Sequence, residues 1–282
     1  MGHVTGTALA ERTPAGGLLI AWQLKDRPVL LIGGGEVAVS RVVHLYHAYA
    51  RITLLAPRAH LHPTLAAWIE AGVIATYIPD WYTNPSQLER KDGNDDYAMI
   101  FTAIDDMERS QEVCDWCRAR KIPVNVADVP ASCDFYFGSM IRRGPLQVMV
   151  STGGQGPRLA RLLRQRIESA LPPAVGAAIT NVGLLRSKLR EAEPAQALSG
   201  ERMAWMSKVC DTLTLDELAA LSPSTAQHWI HHDWPQRRVP RRSRRSWQTY
   251  MPCRQSVGSF VLGSVTTMIL YTAWAYRRSS SS

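Results

Sequence analysis

The chain has 282 residues, 46% of them hydrophobic, enough for one large folded domain or two modest ones and too apolar for general disorder. Its formal net charge of +8 suggests nucleic acid or an anionic surface, but nine arginines and no acid lie beyond Gln236, which leaves residues 1–236 at −1. No nucleic-acid partner is therefore expected, because such domains concentrate Lys and Arg on the folded unit itself.

Residues 1–17 are small and polar without a clear period and are expected to be mobile. Val29-Leu30-Leu31-Ile32 is a continuous apolar run ending in three glycines, the pattern of a parallel strand buried on both faces. Val39, Val42, Val43 and Tyr46 then recur at helical spacing. A second strand follows at Ile52-Thr53-Leu54-Leu55, and Leu65, Trp68 and Ile69 mark a second helix. Val73–Ile78, Tyr97–Thr102 and Ile122–Ala127 are three further strands. This alternation predicts an α/β fold with a Rossmann-type doubly wound parallel sheet. Cys114 and Cys117 have redox or metal-ligand spacing, but no second pair completes a zinc set, and i, i+3 residues simply share a helix face. Five cysteines without a ladder pattern, and no secretory signal at the start, fit a reducing compartment.

Beyond Asp128 the pattern changes. Phe135–Ile141 and Leu146–Ser151 read as two strands around a hairpin-like turn, Arg142-Arg143-Gly144-Pro145. Gly153-Gly154-Gln155-Gly156 leads to Pro157, well placed for the first turn of a helix. That helix carries Leu159, Leu162, Leu163 and Ile167 on one face, with Arg158, Arg161 and Arg164 around it. Helical segments continue to about Trp234, with Trp205, Met206, Leu213, Leu218 and Leu221 as expected core. His228, His231 and His232 lie among them and are read as surface or packing residues. Arg237–Arg245 is a basic linker. Val257–Tyr276 then runs without a charge and would span roughly 30 Å as a helix, the thickness of a bilayer core. A transmembrane tail anchor is expected there. The heavier basic flank, between 237 and 245, should face the cytosol. The moderate hydrophobicity and basic extreme C-terminus suggest an organelle membrane, the mitochondrial outer membrane ahead of the endoplasmic reticulum.

Gly33-x-Gly35-x-x-Ala38, after a strand and before a helix, fits a dinucleotide fingerprint. Gly33 permits the tight turn, Gly35 admits a pyrophosphate, and Ala38 lets helix and strand pack closely. The acid that would bind ribose hydroxyls is missing. Ala56-Pro57-Arg58 stands there, and Arg58 could meet a 2′-phosphate, so NAD versus NADP stays open on these residues. Asp128 ends a strand at the edge where doubly wound folds bind ligands, and could take a proton, help position a metal ion, or merely cap a turn. Asp105 and Asp106 read as capping residues that border the cofactor. Arg142, Arg143, Arg158 and Arg161 could pair with substrate carboxylates, or be only solvated.

On Leu30–Ala38, Thr102-Ala103-Ile104-Asp105-Asp106, Asn125-Val126-Ala127-Asp128, Ser151-Thr152-Gly153-Gly154 with Pro157–Arg164, and Arg202–Met206, the chain resembles a known family. It is the bifunctional precorrin-2 dehydrogenase/sirohydrochlorin ferrochelatase family of siroheme synthesis in its fungal form, similar also to the N-terminal half of bacterial siroheme synthase. The resemblance covers about residues 18 to 222. It implies NAD-dependent oxidation of precorrin-2, then insertion of Fe²⁺ as a substrate, with Asp128 serving both steps and meeting the metal transiently. It implies cofactor contacts from Gly33, Gly34, Gly35, Glu36, Val37, Ala38, Thr102, Ala103 and Asp105. Tetrapyrrole contacts would come from Arg142, Arg143, Ser151, Thr152 and Arg158. It also implies a homodimer and the layout 18–130 (NAD-binding), 131–172 (small α+β dimerisation region), 173–235 (helical), 236–256 (linker) and 257–276 (membrane tail, for which the family has no counterpart). A monofunctional dehydrogenase and a membrane-tethered dinucleotide sensor are the alternatives.

Overall fold

The computed structural model describes residues 17–90 and 96–240. Most of the expected mobile start, most of the basic linker and the expected membrane segment at 257–276 lie outside the described residues. Among the described residues no helix is long and apolar enough to cross a membrane. The described residues divide into two compact units: one contains those up to Ile141 and Val148–Glu168, the other Arg142–Gln147 and those from Ser169 on. The region expected at 131–172 is thus shared between the two units.

In the first unit, β1 (Pro28–Ile32), β2 (Arg51–Leu55), β3 (Thr76–Ile78), β4 (Met99–Thr102) and β5 (Val124–Val126) form one sheet in the order β3-β2-β1-β4-β5. Every pairing in it is parallel. Helices α1 (Glu36–His47), α2 (Pro63–Glu70) and α3 (Met107–Ala119) supply the crossovers. Because side chains alternate along a strand, the apolar runs serve two cores at once. Val29, Leu31, Ile52, Leu54 and Phe101 face a cluster with Ala38, Val42, Leu45 and Leu65. Leu30, Ile32, Leu55, Ile100, Val124 and Val126 face the other, with Val113, Cys114 and Cys117 of α3. Each such aliphatic side chain contributes roughly 1.5–3 kcal/mol by leaving water.

The helical period expected for α1 is right, but its inward stripe is Ala38, Val42 and Leu45, while Val43 and Tyr46 are exposed. Cys114 and Cys117 are buried, and burial pushes the Cys117 thiol up to about 12. Among the described residues no group of three or more His, Cys, Asp or Glu could hold a metal ion.

After β5 the chain forms the two-stranded β6 (Ser139–Arg143) and β7 (Leu146–Val150), then α4 (Pro157–Ala170). The strand expected from Phe135 begins only at Ser139. Phe135 and Phe137 instead turn their rings onto Phe101, with centroids 5.5 and 5.6 Å away. On α4, Leu159, Leu162, Leu163 and Ile167 are all at least 37% exposed. In the second unit α5 (Val175–Ala192), α6 (Ser199–Thr212), α7 (Leu215–Ala219) and α8 (Pro223–His232) pack around Trp205, Met206, Leu213, Leu218, Leu221 and Trp234. Thr214 opens α7 with a capping box to Glu217, and Ser222 caps α8. The three histidines of α8 are exposed.

Candidate active site

The carboxyl ends of β1 and β4, the point where a doubly wound sheet opens a crevice, frame a cleft of about 520 Å³. Its floor is Gly33, Gly34 and Gly35, with Glu36 and Val37 beyond. Gly33 has φ +114°, and a Cβ there would stand 2.2 Å from the Ala103 carbonyl oxygen. That closeness follows from the sheet ladder, since Ala103 N–H donates to Ile32 O at 2.8 Å and Gly33 N–H to Leu55 O at 2.9 Å. Gly35 is the opposite case: an added Cβ meets nothing within 4 Å. It also caps α1 with no side-chain hydrogen bond, which leaves the first-turn N–H groups for an anion. The backbone thus fits a pyrophosphate. Ala38 is fully buried beneath. The Glu36 carboxylate, also on the cleft lining, pairs with His62, with Nε2 and Oε1 3.0 Å apart.

Ala103, Ile104, Asp105 and Asp106 form one wall. Asp106 is the N-cap of α3, accepting from Arg109 N–H at 3.0 Å, while Asp105 is exposed on the cleft. Thr102 does not line the cleft. Its side chain is buried 3.3 Å from the Ser110 hydroxyl, inside the sheet–α3 interface. His60, Trp81, Tyr82 and Arg109, absent from the sequence reading, also line the cleft, with Arg109 Nε 3.2 Å from the Asp106 carboxylate. The rings of His60 and Trp81 lie 4.9 Å apart, an aromatic flank for a flat ring. Arg109 donates to the Tyr82 carbonyl at 2.8 Å, and the Tyr82 hydroxyl to Glu112 at 2.8 Å. Arg58 is exposed and is not part of the cleft lining.

Asp128 follows β5 at the same carboxyl edge. Its φ of +60° is unusual for a residue other than glycine, and its carboxylate is exposed. The turn is held from below. The Cys133 thiol donates to Val126 O at 3.0 Å and Val129 O at 3.3 Å, the carbonyls on either side of Asp128. Buried Asn125 donates to Phe135 O at 2.8 Å and to Cys133 Sγ at 3.4 Å. Burial raises the Cys133 pKa, so this thiol stays protonated and able to donate. The turn that presents this carboxylate is thus held by side chains beneath it.

The residues expected to meet substrate carboxylates are less concentrated. Ser151 and Thr152 use their hydroxyls locally, accepting from Gly153 N–H at 3.3 Å and Gly156 N–H at 3.2 Å, and so shape the turn into α4. Ser151 also lines a larger cavity of about 720 Å³, which lies at the opposite sheet edge beside Met99, Ile122 and Pro123. The smaller cleft is the one at the chemically competent edge. Arg158 is exposed in the first turn of α4. Arg142 and Arg143 belong to the second unit, at the end of β6. Arg41 of α1 was not anticipated. Its guanidinium lies 4.4 Å from the Phe137 ring centroid, and the Asp128 carboxylate acts on it electrostatically.

Comparison with known proteins agrees with this arrangement. An NAD(P)-binding family model matches residues 20–139, and the central and C-terminal models of sirohaem biosynthesis proteins match 143–170 and 172–240. The chain is 45% identical over 208 residues to siroheme biosynthesis protein met8 of Schizosaccharomyces pombe, covering 74% of this chain and 76% of that one. It is 41% identical over 172 residues to the siroheme synthase of Thioalkalivibrio sulfidiphilus, of which it spans only 33%. The solved structure of SirC, precorrin-2 dehydrogenase, superposes with a TM-score of 0.57 at 18% identity, covering 78% of this chain and 100% of that one. At that identity the likeness concerns the fold.

Proposed function

Since the chain belongs to the siroheme biosynthesis protein family, we propose that it oxidises precorrin-2 to sirohydrochlorin with NAD⁺ and then inserts Fe²⁺ to give siroheme. The observation that carries this reading is the pairing, on one edge of one sheet, of the Gly33–Val37 cradle with the outward-turned carboxylate of Asp128. Bound in the cleft, NAD⁺ supplies the hydride acceptor. Gly33, Gly34 and Gly35 let the backbone approach its pyrophosphate, the N-terminus of α1 stabilises the charge, and Ala103 and Asp105 border it. Asp128 takes the proton that leaves as the substrate gives up its hydride. In the second step two pyrrole N–H protons depart as the metal enters; the same carboxylate accepts one at a time, passing each to solvent water, and in its ionised form meets Fe²⁺ in transit. Arg142, Arg143 and Arg158 bind acidic arms of the tetrapyrrole.

Two further parts belong to this reading. The chain works as a homodimer through the apolar face of α4, four side chains at i, i+3, i+4 and i+8 that are exposed in the single chain. Residues 257–276 anchor it in an organelle membrane with the body in the cytosol, supported by the uncharged run and its unequal basic flanks. Carbonate extraction and protease protection test the anchor; a body released by carbonate or shielded from protease defeats it. For the enzyme, the purified protein is given precorrin-2, NAD⁺ and Fe²⁺, and both products are followed by absorbance. Absence of NADH formation with precorrin-2 overturns the assignment.

A further inference from the structure

Arg41 stands on α1, five residues past Glu36 and so about 7.5 Å further along the helix axis. Its guanidinium is half-buried above the Phe137 ring. Phe137 is held on its other contacts by His44, stacked at 4.9 Å, and by Phe101 and Phe135, so it is a rigid platform. Among the described residues no carboxylate or carbonyl accepts a hydrogen bond from Arg41. Burial depresses its pKa, and the nearby Asp128 carboxylate acts in the opposite sense. A partly desolvated guanidinium with its planar fork of donors uncommitted gains most from a carboxylate, which can take two of them at once.

We propose that Arg41 is a substrate-binding residue, which clamps one carboxylate arm of the tetrapyrrole and so holds the macrocycle edge over Asp128. This rests on the function proposed above, because the ligand chemistry it needs is a flat macrocycle with acetate and propionate arms. The clamp sits on the helix whose N-terminus cradles the pyrophosphate, so one rigid element positions both reactants. Asp128 and the incoming arm carry like charge. Pairing with Arg41 screens the charge of the arm.

The test uses full-length protein with Arg41→Met, which keeps the stem on Phe137, and Arg41→Lys, which keeps the charge and loses the fork. Sirohydrochlorin binding is titrated by absorbance without NAD⁺, NAD⁺ binding is measured separately, and KM and kcat are taken for precorrin-2 across pH. In Arg41→Met, the sirohydrochlorin Kd and the precorrin-2 KM rise about tenfold or more, as expected for loss of a charge-assisted pair. NAD⁺ affinity and the pH profile of kcat stay as in the wild type, and Arg41→Lys recovers part of the loss. Unchanged sirohydrochlorin binding in Arg41→Met, in a wild type that binds and turns over, overturns the clamp alone. A shifted kcat pH profile at constant KM, or a parallel loss of NAD⁺ binding, also overturns it, in favour of an electrostatic or structural role. A wild type that binds no sirohydrochlorin removes the function and the clamp together.

Discussion

Gly33 and Gly35 stand two residues apart in one turn, and the structure assigns them opposite costs. In Gly33→Ala the new methyl lies 2.2 Å from the oxygen and 2.8 Å from the carbon of the Ala103 carbonyl, at a φ of +114° that L side chains avoid. The Ala103 backbone cannot retreat without breaking its 2.8 Å hydrogen bond to Ile32. Backbone strain of about 1–3 kcal/mol plus a weakened hydrogen bond worth about 1 kcal/mol gives a loss of roughly 2–4 kcal/mol. That is a large fraction of a typical domain stability of about 5–15 kcal/mol. Gly35→Ala sits at φ −89° and ψ −167°, open to any residue, and touches nothing. Its stability should change by about 1 kcal/mol or less, but its methyl occupies the lining of the cleft. Loss of close approach should weaken NAD⁺ by about tenfold or more. Urea unfolding and calorimetric NAD⁺ titration of both variants separate the effects. An unfolding midpoint for Gly33→Ala equal to the wild type, or an unchanged NAD⁺ Kd for Gly35→Ala, refutes the reasoning.

Asp128→Ala should abolish both oxidation and iron insertion while leaving the NAD⁺ Kd within about twofold, since the carboxylate is not part of the cleft lining; near-normal turnover in either assay removes that residue from the step concerned. Leu162→Asp with Leu163→Asp should convert the dimer to monomer in sedimentation without loss of helix content, because both side chains are already exposed in the single chain; a persisting dimer places the interface elsewhere. Cys117 gives a pH signature. Its folded pKa of about 12 lies above the ordinary 9.0, so the folded state holds a proton that the unfolded chain gives up. The stability it contributes is complete below pH 9 and is lost as pH rises toward 12. Cys117→Ala should therefore show a shallower alkaline fall in urea midpoint than the wild type, and identical slopes would falsify the cause.

What could be read from the chain divides along a physical line. The five parallel strands were legible because runs such as Val29–Ile32 are apolar on both faces, and only a strand covered on both sides has use for that pattern. Their ends were not. The strand expected at Val73 starts at Thr76 because Val73 and Ile74 donate back to the Trp68 carbonyl, closing α2 instead of joining the ladder. Phe135 stays outside β6 because the Asn125 amide takes its carbonyl. In the site, Gly33 and Gly35 announce themselves because a tight turn restricts the residue that makes it, and Asp128 because it ends a strand at the crevice. Thr102 was placed in the cleft by motif alone, and strand alternation instead turns it to α3. His60, Trp81 and Arg41 carry no local mark: each acquires its place from partners at least 21 residues away, His60 from Trp81 and Arg41 from Phe137. Cys133 lies between these cases. Its thiol grips carbonyls seven and four residues before it, near enough to be local, yet only the αL turn at Asp128 brings both within reach. Residues whose place is set by their own backbone can thus be named from the chain, whereas those placed by a partner become visible only when distant segments meet.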